Sequence, residues 1–138
     1  MKEIICSGKR IKDGKWIEGF YVKFYSNGEA EENHMIFTIN EAEKSSQPYN
    51  VDPETVCRCT GLTDKNGRKI FEGDIVKHFI YPGDEERYVL GYIKWDSKHY
   101  RFIRQGTDQI QYIITEKCIY EVIGNIFDNP ELLSGDKK

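Results

Sequence analysis

Few residues in this 138-residue chain combine a reactive side chain with a neighbour that could assist it. The chain has three histidines, His34, His78 and His99, and none is paired by spacing with a serine, cysteine or aspartate. A nucleophile needs such a base within hydrogen-bond reach. Asp74 could act as an acid, but a turn in which its carboxylate accepts backbone N–H groups explains the position better. The sequence therefore predicts no catalytic residues and a protein that is not an enzyme.

The cysteines give little indication of a metal site. Cys57 and Cys59 are separated by one residue, whereas zinc sites usually have wider spacing with a second pair downstream. Cys6 and Cys118 stand alone, and no Gly-x-x-x-x-Gly-Lys-Ser/Thr loop is present. We therefore expect reduced cysteines, no metal and no cofactor, and the role of the Cys57 and Cys59 pair stays open.

Aromatic and basic residues interleave in the second half of the chain. They could stack bases and pair phosphates of single-stranded nucleic acid, or pack a core on one face and expose charge on the other. The net charge of −3 argues against nucleic acid. The candidate nucleic-acid or partner face consists of Tyr92, Lys94, Trp95, Tyr100, Arg101, Phe102 and Arg104.

Short strands between turn signals must position these residues. Trp16 to Tyr25 and Tyr88 to Trp95 are rich in aromatic and β-branched residues. Asp52-Pro53 predicts the start of a short helix, and residues 40–50 are polar enough for a surface loop or linker. We predict an all-β fold with one or two short helices, in which an SH3-like small barrel in the C-terminal half follows an N-terminal β substructure. The predicted parts are 1–50 and 51–138, or one integrated domain.

Charge and hydropathy indicate a cytoplasmic protein. Lysine and arginine number 20 against 23 aspartate and glutamate, and the two signs are mixed along the chain. No apolar stretch approaches the roughly 20 residues that a membrane span needs. The apolar run Ile4 to Cys6 is too short for a signal-peptide core. We therefore expect no membrane partner.

Five segments spread over the last two thirds of the chain resemble one known family. They are Val51-Asp52-Pro53-Glu54-Thr55-Val56, Thr60-Gly61-Leu62-Thr63-Asp64-Lys65-Asn66-Gly67, Ile70-Phe71-Glu72-Gly73-Asp74-Ile75-Val76, Gly91-Tyr92-Ile93-Lys94-Trp95-Asp96 and Ile123-Gly124-Asn125-Ile126-Phe127-Asp128-Asn129-Pro130-Glu131-Leu132-Leu133. In this order they closely resemble the YopX family of phage and prophage proteins. The N-terminal third departs from that family's usual opening. The resemblance implies a phage- or prophage-encoded protein of the bacterial cytoplasm with a largely β fold, and it implies no catalysed reaction.

Two functions of different kinds follow. The first is a non-enzymatic accessory protein that binds a partner, either a second copy of itself or a phage or host protein, through a β surface. Short strands leave edges that must be covered, so we expect a homo-oligomer. The alternative is a nucleic-acid-binding module that uses the aromatic and basic face, which salt-dependent binding to single-stranded DNA or RNA would reveal.

Overall fold

A computed structural model describes residues 5–25, 32–40 and 45–134. The chain divides into two compact units, Met1–Cys59 and Thr60–Lys138. The described segments form antiparallel strands and two short 3-10 turns, so the predicted all-β class is confirmed. No helix in these segments is long and apolar enough to cross a membrane.

The first unit is an antiparallel sheet in the order β4-β3-β2-β1. Strand β5, Cys57–Thr63, begins here and pairs with β1 through Ser7 and Cys57. Its core includes Cys6, Ile36, Val51 and Cys57, all buried. The bounds of the four strands are Cys6–Lys9 (β1), Trp16–Tyr25 (β2), Glu32–Asn40 (β3) and Ser45–Asn50 (β4).

Local turn chemistry was predicted correctly at Asp52. Its carboxylate accepts the backbone N–H of Glu54 at 3.0 Å, and Pro53 opens the 3-10 turn Pro53–Thr55. The expectation of a loop over 40–50 is wrong for its last six residues, because β4 pairs with β3 from Ser45 to Asn50. The prediction took Pro48 as the sign of a loop. A proline is nevertheless tolerated on an edge strand, because one side of its backbone makes no hydrogen bonds to another strand. Residues 1–4, 26–31 and 41–44, which include a predicted turn at Asn27-Gly28, lie outside the described residues.

The second unit contains a five-stranded antiparallel sheet in the order β10-β9-β8-β7-β11. Six apolar side chains form its core cluster: Ile70, Val76, Ile93, Ile114, Tyr120 and Val122. Five strands after residue 70 match the predicted number, while closure into an SH3-like barrel stays a prediction. The bounds are Lys69–Phe71 (β6), Asp74–Phe79 (β7), Val89–Asp96 (β8), Arg101–Gly106 (β9), Gln111–Ile113 (β10) and Ile119–Asn125 (β11), followed by a 3-10 turn at Pro130–Leu133.

Two acidic residues hold turns of the second unit in place. Asp64, only 6% exposed, accepts the backbone N–H groups of Asn66, Arg68 and Val122 at 2.8, 2.9 and 3.0 Å. Asp74 accepts the backbone N–H of Phe71 at 2.8 Å, and the preceding glycine has φ 89°. Both carboxylates therefore stabilise turns by accepting backbone N–H groups, as the sequence predicts for Asp74.

Candidate functional site

The register of the β8–β9 hairpin separates the predicted face into two sides. Trp95 lies opposite Phe102, and Arg104 lies opposite the core residue Ile93. Side chains alternate between the faces of a strand, so Trp95, Phe102 and Arg104 share the side that faces the core. Tyr92, Lys94 and Arg101 lie on the other side of the sheet, and Tyr100 precedes β9 in the hairpin turn. The structure thus brings together three residues on each side, but not all seven.

Arg104 is the most unusual residue of the set, because its charged side chain is fully buried. Its Nε and Nη2 atoms lie 3.1 and 2.8 Å from Nδ1 of His78. Its Nη1 donates to the carbonyl oxygen of Ile110 at 3.2 Å and lies 3.6 Å from the carboxylate of Asp108. The guanidinium also stacks over the ring of Tyr112, 4.5 Å from its centre. Buried charges are found where they are paired or hydrogen-bonded in this way.

Two glycines on neighbouring strands make room for this arginine. Gly91 and Gly106 are directly opposite each other in the β8–β9 ladder. A Cβ atom on Gly91 would lie 2.5 Å from Cδ of Arg104, and one on Gly106 would lie 2.1 Å from its Nη1. Arg104 is therefore built into the interior and is not available to a phosphate. The facing glycines were the sequence signal for this, but their pairing is visible only in the folded sheet.

His78 faces Arg104 as a neutral ring. It is 4% exposed, and burial together with the Arg104 charge lowers its pKa from 6.5 to about 4. Since its Nδ1 accepts from Arg104, its proton is assigned to Nε2. The ring also packs against Tyr120 and Tyr112, at centroid distances of 4.7 and 5.1 Å. The side chain that stood alone in the sequence thus belongs to a buried polar cluster.

The opposite side of the hairpin is partly solvent-exposed, and the Asp96 carboxylate lies close to two basic side chains there. Arg101 lies 3.5 Å from the carboxylate of Asp96, which also lies 2.8 Å from Nδ1 of His99. Tyr100 is 79% exposed and has φ 55°, a conformation that an aromatic residue rarely adopts. Strained exposed residues of this kind concentrate at functional sites. Of the predicted set, Tyr100 is the residue most accessible to a partner.

A second candidate surface lies on the β2–β3 hairpin, which sequence analysis did not single out. Among the described residues, β1 pairs with β2 from Trp16 to Gly19, and β2 continues to Tyr25 in its pairing with β3. Val22 is 40% exposed and Phe24 is 39% exposed. The register places five apolar side chains on one side of the hairpin, which we call the hairpin face: Phe20, Val22, Phe24, Met35 and Phe37.

The other side of the same hairpin carries the core residue Ile36 together with polar side chains that bond to one another. The Tyr21 hydroxyl hydrogen-bonds to Nδ1 of His34, whose Nε2 lies 3.0 Å from the carboxylate of Glu32. Tyr25 also donates to Glu32 at 3.2 Å. Because side chains alternate between the two sides of a strand, the hairpin face lies on the side of the sheet opposite Ile36. The hairpin face therefore marks a surface suited to a partner, and the alternation Phe20, Val22, Phe24 was its sequence signal.

The described segments also show where Cys57 and Cys59 and the other potential metal ligands lie. They contain no group of three or more His, Cys, Asp or Glu side chains placed to hold a metal ion. The Cys57 thiol is buried and donates to the carbonyl oxygen of Thr55 at 3.3 Å, while Cys59 is half-buried, and neither cysteine forms a disulfide. The expectation that no metal or cofactor binds stays a prediction.

Comparison with known proteins supports the fold and identifies the family. The crystal structure of protein EF1440 from Enterococcus faecalis superimposes with a TM-score of 0.56 at 22% identity, over 96% of this chain and 99% of that one. At this identity the match concerns the fold alone. No curated protein sequence matches the chain at a significant level. The family model described as YopX protein matches residues 9–134, and this chain therefore belongs to the YopX family.

Proposed function

We propose that this protein is a non-enzymatic interaction and assembly module whose first partner is a second copy of itself. The observation that carries the proposal is the exposed hairpin face, with Val22 and Phe24 each about two-fifths exposed. Complete burial of a Val or Phe side chain contributes about 1.5–3 kcal/mol, so covering the two-fifths of Val22 and Phe24 that is still exposed contributes roughly 1 kcal/mol for each side chain.

The second copy is the favoured occupant because an apolar face can meet its own copy across a twofold axis. In such a contact the hairpin faces of two copies pack against each other. This removes the exposed parts of Val22 and Phe24 from water in both chains and closes the assembly.

The non-enzymatic part of the proposal is supported by how the acidic residues are used. In the second unit, the carboxylates of Asp64 and Asp74 accept hydrogen bonds from backbone N–H groups of the turns in which they lie. His78 is a neutral acceptor for Arg104. The resemblance to the YopX family supports a phage or prophage setting in the bacterial cytoplasm as part of this proposal, with a phage or host protein as the further partner.

The oligomeric state tests the proposal directly. Light scattering after gel filtration, across micromolar concentrations, is expected to show a dimer or larger species. Val22→Lys and Phe24→Lys should shift it to monomer, because each places a charge in the buried contact. Ile11→Lys, at a position 67% exposed in the same unit, is the matched control and should leave the assembly intact. A wild-type chain that is monomeric throughout, or that dissociates equally with the control, overturns the proposal.

The alternative is nucleic-acid binding, and one observation favours it. Tyr100 is held exposed at the tip of the β8–β9 hairpin, next to Arg101 and close to Lys98. An exposed aromatic beside cations is what base stacking needs. Fluorescence anisotropy with single-stranded oligonucleotides at low and physiological salt would show salt-dependent binding that Tyr100→Ala weakens. Tyr81→Ala, at another exposed tyrosine, is the control.

A further inference from the structure

The connection between β1 and β2 concentrates positive charge in a chain that is acidic as a whole. The chain has a formal net charge of −3. Over residues 9–15, by contrast, the basic side chains Lys9, Arg10, Lys12 and Lys15 stand against a single acidic one, Asp13. The surface around this turn therefore attracts an anionic group more strongly than the average surface of the protein does.

A pocket of about 370 Å³ lies at this turn, within the first unit. Pockets that hold small ligands have volumes of about 300–1,000 Å³, so this one has room for a single amino-acid residue. The backbone N–H of Ile11 donates to the carbonyl oxygen of Asn50 at 3.0 Å, which joins the turn to the end of β4 and fixes the two walls relative to each other. The lining consists of Arg10, Ile11, Lys12, Pro48, Tyr49 and Asn50.

The lining combines apolar surface with positive charge. Ile11 is 67% exposed, Pro48 is exposed and Tyr49 is half-buried, so each has apolar surface that a ligand can cover. Arg10 and Lys12 bring two positive charges to the same pocket, and the carboxylate of Asp13, next along the turn, compensates one of them. A ligand that joins one negative charge to an apolar group therefore complements the pocket.

Arg10 is held in one position and keeps hydrogen-bonding capacity for a ligand. Its guanidinium lies over the ring of Tyr49, 4.4 Å from the ring centre, and its Nη2 lies 3.1 Å from one oxygen of Asp13. The other Asp13 oxygen accepts the backbone N–H of Lys15 at 3.1 Å, so the turn itself holds this carboxylate. The Nε of Arg10 makes no hydrogen bond within the described part of the chain. A guanidinium has five N–H donors whose geometry matches a carboxylate.

We propose that this pocket binds the carboxyl-terminal residue of a partner polypeptide that ends in a large apolar side chain. Neighbouring side chains of an extended peptide point to opposite sides, so an internal Asp or Glu does not place its charge beside an apolar neighbour. A terminal residue carries its carboxylate and its side chain on the same carbon atom. The carboxylate then lies against Arg10 and Lys12, while the side chain covers Ile11, Pro48 and Tyr49.

The proposed site is separate from the hairpin face. The pocket lining contains none of the five hairpin-face residues. Binding of a polypeptide terminus here and self-association through the hairpin face are therefore independent, and each can fail without the other. The peptide experiment below follows the pocket residues, whereas light scattering follows the oligomeric state.

Three short peptides separate the contributions of charge and apolar surface. The probe is acetyl-glycyl-glycyl-phenylalanine with a free carboxylate, and the controls are its carboxyl-terminal amide and acetyl-glycyl-glycyl-glycine. NMR titration of the full 15N-labelled chain should show saturable shifts of the backbone signals of Ile11, Lys12, Tyr49 and Asn50 with the probe. Each control should bind about tenfold or more weakly, because the amide loses the charged hydrogen bonds and the glycine peptide loses the apolar contact.

Variants of the basic turn test the assigned contacts. Lys12→Gln should weaken binding of the probe by about two- to fivefold, as expected for one exposed ion pair. Lys15→Gln is the matched control, since it removes the same charge from the same turn at a position outside the lining, and it should bind as wild type does. Arg10→Lys keeps the charge but removes the planar fork, and should weaken binding by about threefold or more.

The result is decisive even if Arg10→Lys affects folding, because the peptide controls use the wild-type chain and Lys12 is an exposed turn residue. Saturable binding of the free acid with the expected order of peptides supports the proposal. It is overturned if the wild-type chain shows no saturable shifts at millimolar probe, if acid and amide bind equally, or if Lys15→Gln weakens binding as much as Lys12→Gln. Tighter binding of adenosine monophosphate than of the probe at the same signals would also overturn it, since the pocket would then select a phosphate ligand.

Discussion

Replacing Asp64 with asparagine tests how the turn between β5 and β6 is joined to β11. One carboxylate oxygen accepts the N–H groups of Asn66 and Arg68, and the other accepts that of Val122, 58 positions along the chain. An asparagine has one acceptor oxygen and an NH2 donor. If the asparagine oxygen still accepts the N–H groups of Asn66 and Arg68, its NH2 group lies against the N–H of Val122. Two hydrogen-bond donors then face each other in the protein interior.

The cost of that substitution follows from the hydrogen bonds lost. A hydrogen bond to a charged group contributes about 1.5–3 kcal/mol, and a buried N–H without a partner costs about 1–3 kcal/mol. At Val122 the lost hydrogen bond and the unpaired N–H are partly the same effect, so the two contributions do not simply add. We therefore expect Asp64→Asn to lower the free energy of unfolding by about 2–4 kcal/mol at neutral pH. Asp52→Asn is the matched control, because an exposed asparagine caps as well as an aspartate and should change stability by less than about 0.5 kcal/mol.

The pH dependence of this effect has a defined sign. Burial raises the pKa of Asp64, but the three backbone N–H groups and the Arg68 charge outweigh it and bring the pKa below the ordinary 3.8. A carboxyl whose pKa is lowered by folding stabilises the fold above its unfolded pKa, and this contribution is lost as the pH falls through the folded value. The difference between wild type and Asp64→Asn should therefore narrow in acid.

Urea unfolding of wild type, Asp64→Asn and Asp52→Asn, repeated from neutral to acid pH, measures both effects. The midpoint of Asp64→Asn should be well below that of the other two at neutral pH and approach them below about pH 4. Equal midpoints for the two variants at neutral pH would refute the assigned hydrogen bonds. A gap that persists unchanged in acid would refute the assigned charge state.

Three further predictions concern the interior and one turn of the second unit. The ring of His78 should titrate near pH 4 by NMR, and the fold should lose about 2–3 kcal/mol as the pH drops from 6.5 to about 4, because the unfolded chain takes up the proton first. A ring that titrates near 6.5 contradicts this. Gly91→Ala should lower stability by about 1–3 kcal/mol in thermal melts, since its Cβ would overlap Arg104, and a neutral effect would show that the arginine is not confined. Gly73→Ala and Asp74→Asn should each cost about 1 kcal/mol or more, the first through φ 89° and the second through its lost turn hydrogen bond. If both melt with wild type while partner binding is lost, the turn has a functional role instead.

The sequence predicted secondary structure correctly where neighbouring residues alone determine it. The turn at Asp74, the Asp52-Pro53 start and the strand predicted from Tyr88 to Trp95 followed from residue types and alternation. It failed at residues 45–50, because a proline-containing polar segment becomes a strand only when β3 offers it an edge. Pairing at a sheet edge depends on the neighbouring strand, so the sequence of the added strand contains little signal for it.

The candidate site shows the same division between local and long-range information. Alternation along residues 99–104 predicts that Tyr100, Phe102 and Arg104 share a side. The sheet confirms this for Phe102 and Arg104, whereas Tyr100 lies in the turn before β9. Which side faces the core was decided by distant partners: the space left by Gly91 and Gly106, and the acceptor supplied by His78. An arginine in isolation is expected at the surface, and only these contacts offset the cost of removing its charge from water.

The sequence by itself determined the all-β class, the positions of the turns and the YopX family, because each depends on residue types close together or on their order along the chain. Only the tertiary structure decided what each strand face does. It buried Arg104 against His78 and left Val22 and Phe24 about two-fifths exposed on the β2–β3 hairpin. Burial is a property of packing between strands distant in sequence, and a period of two residues indicates that a strand has two faces without saying which one meets the core.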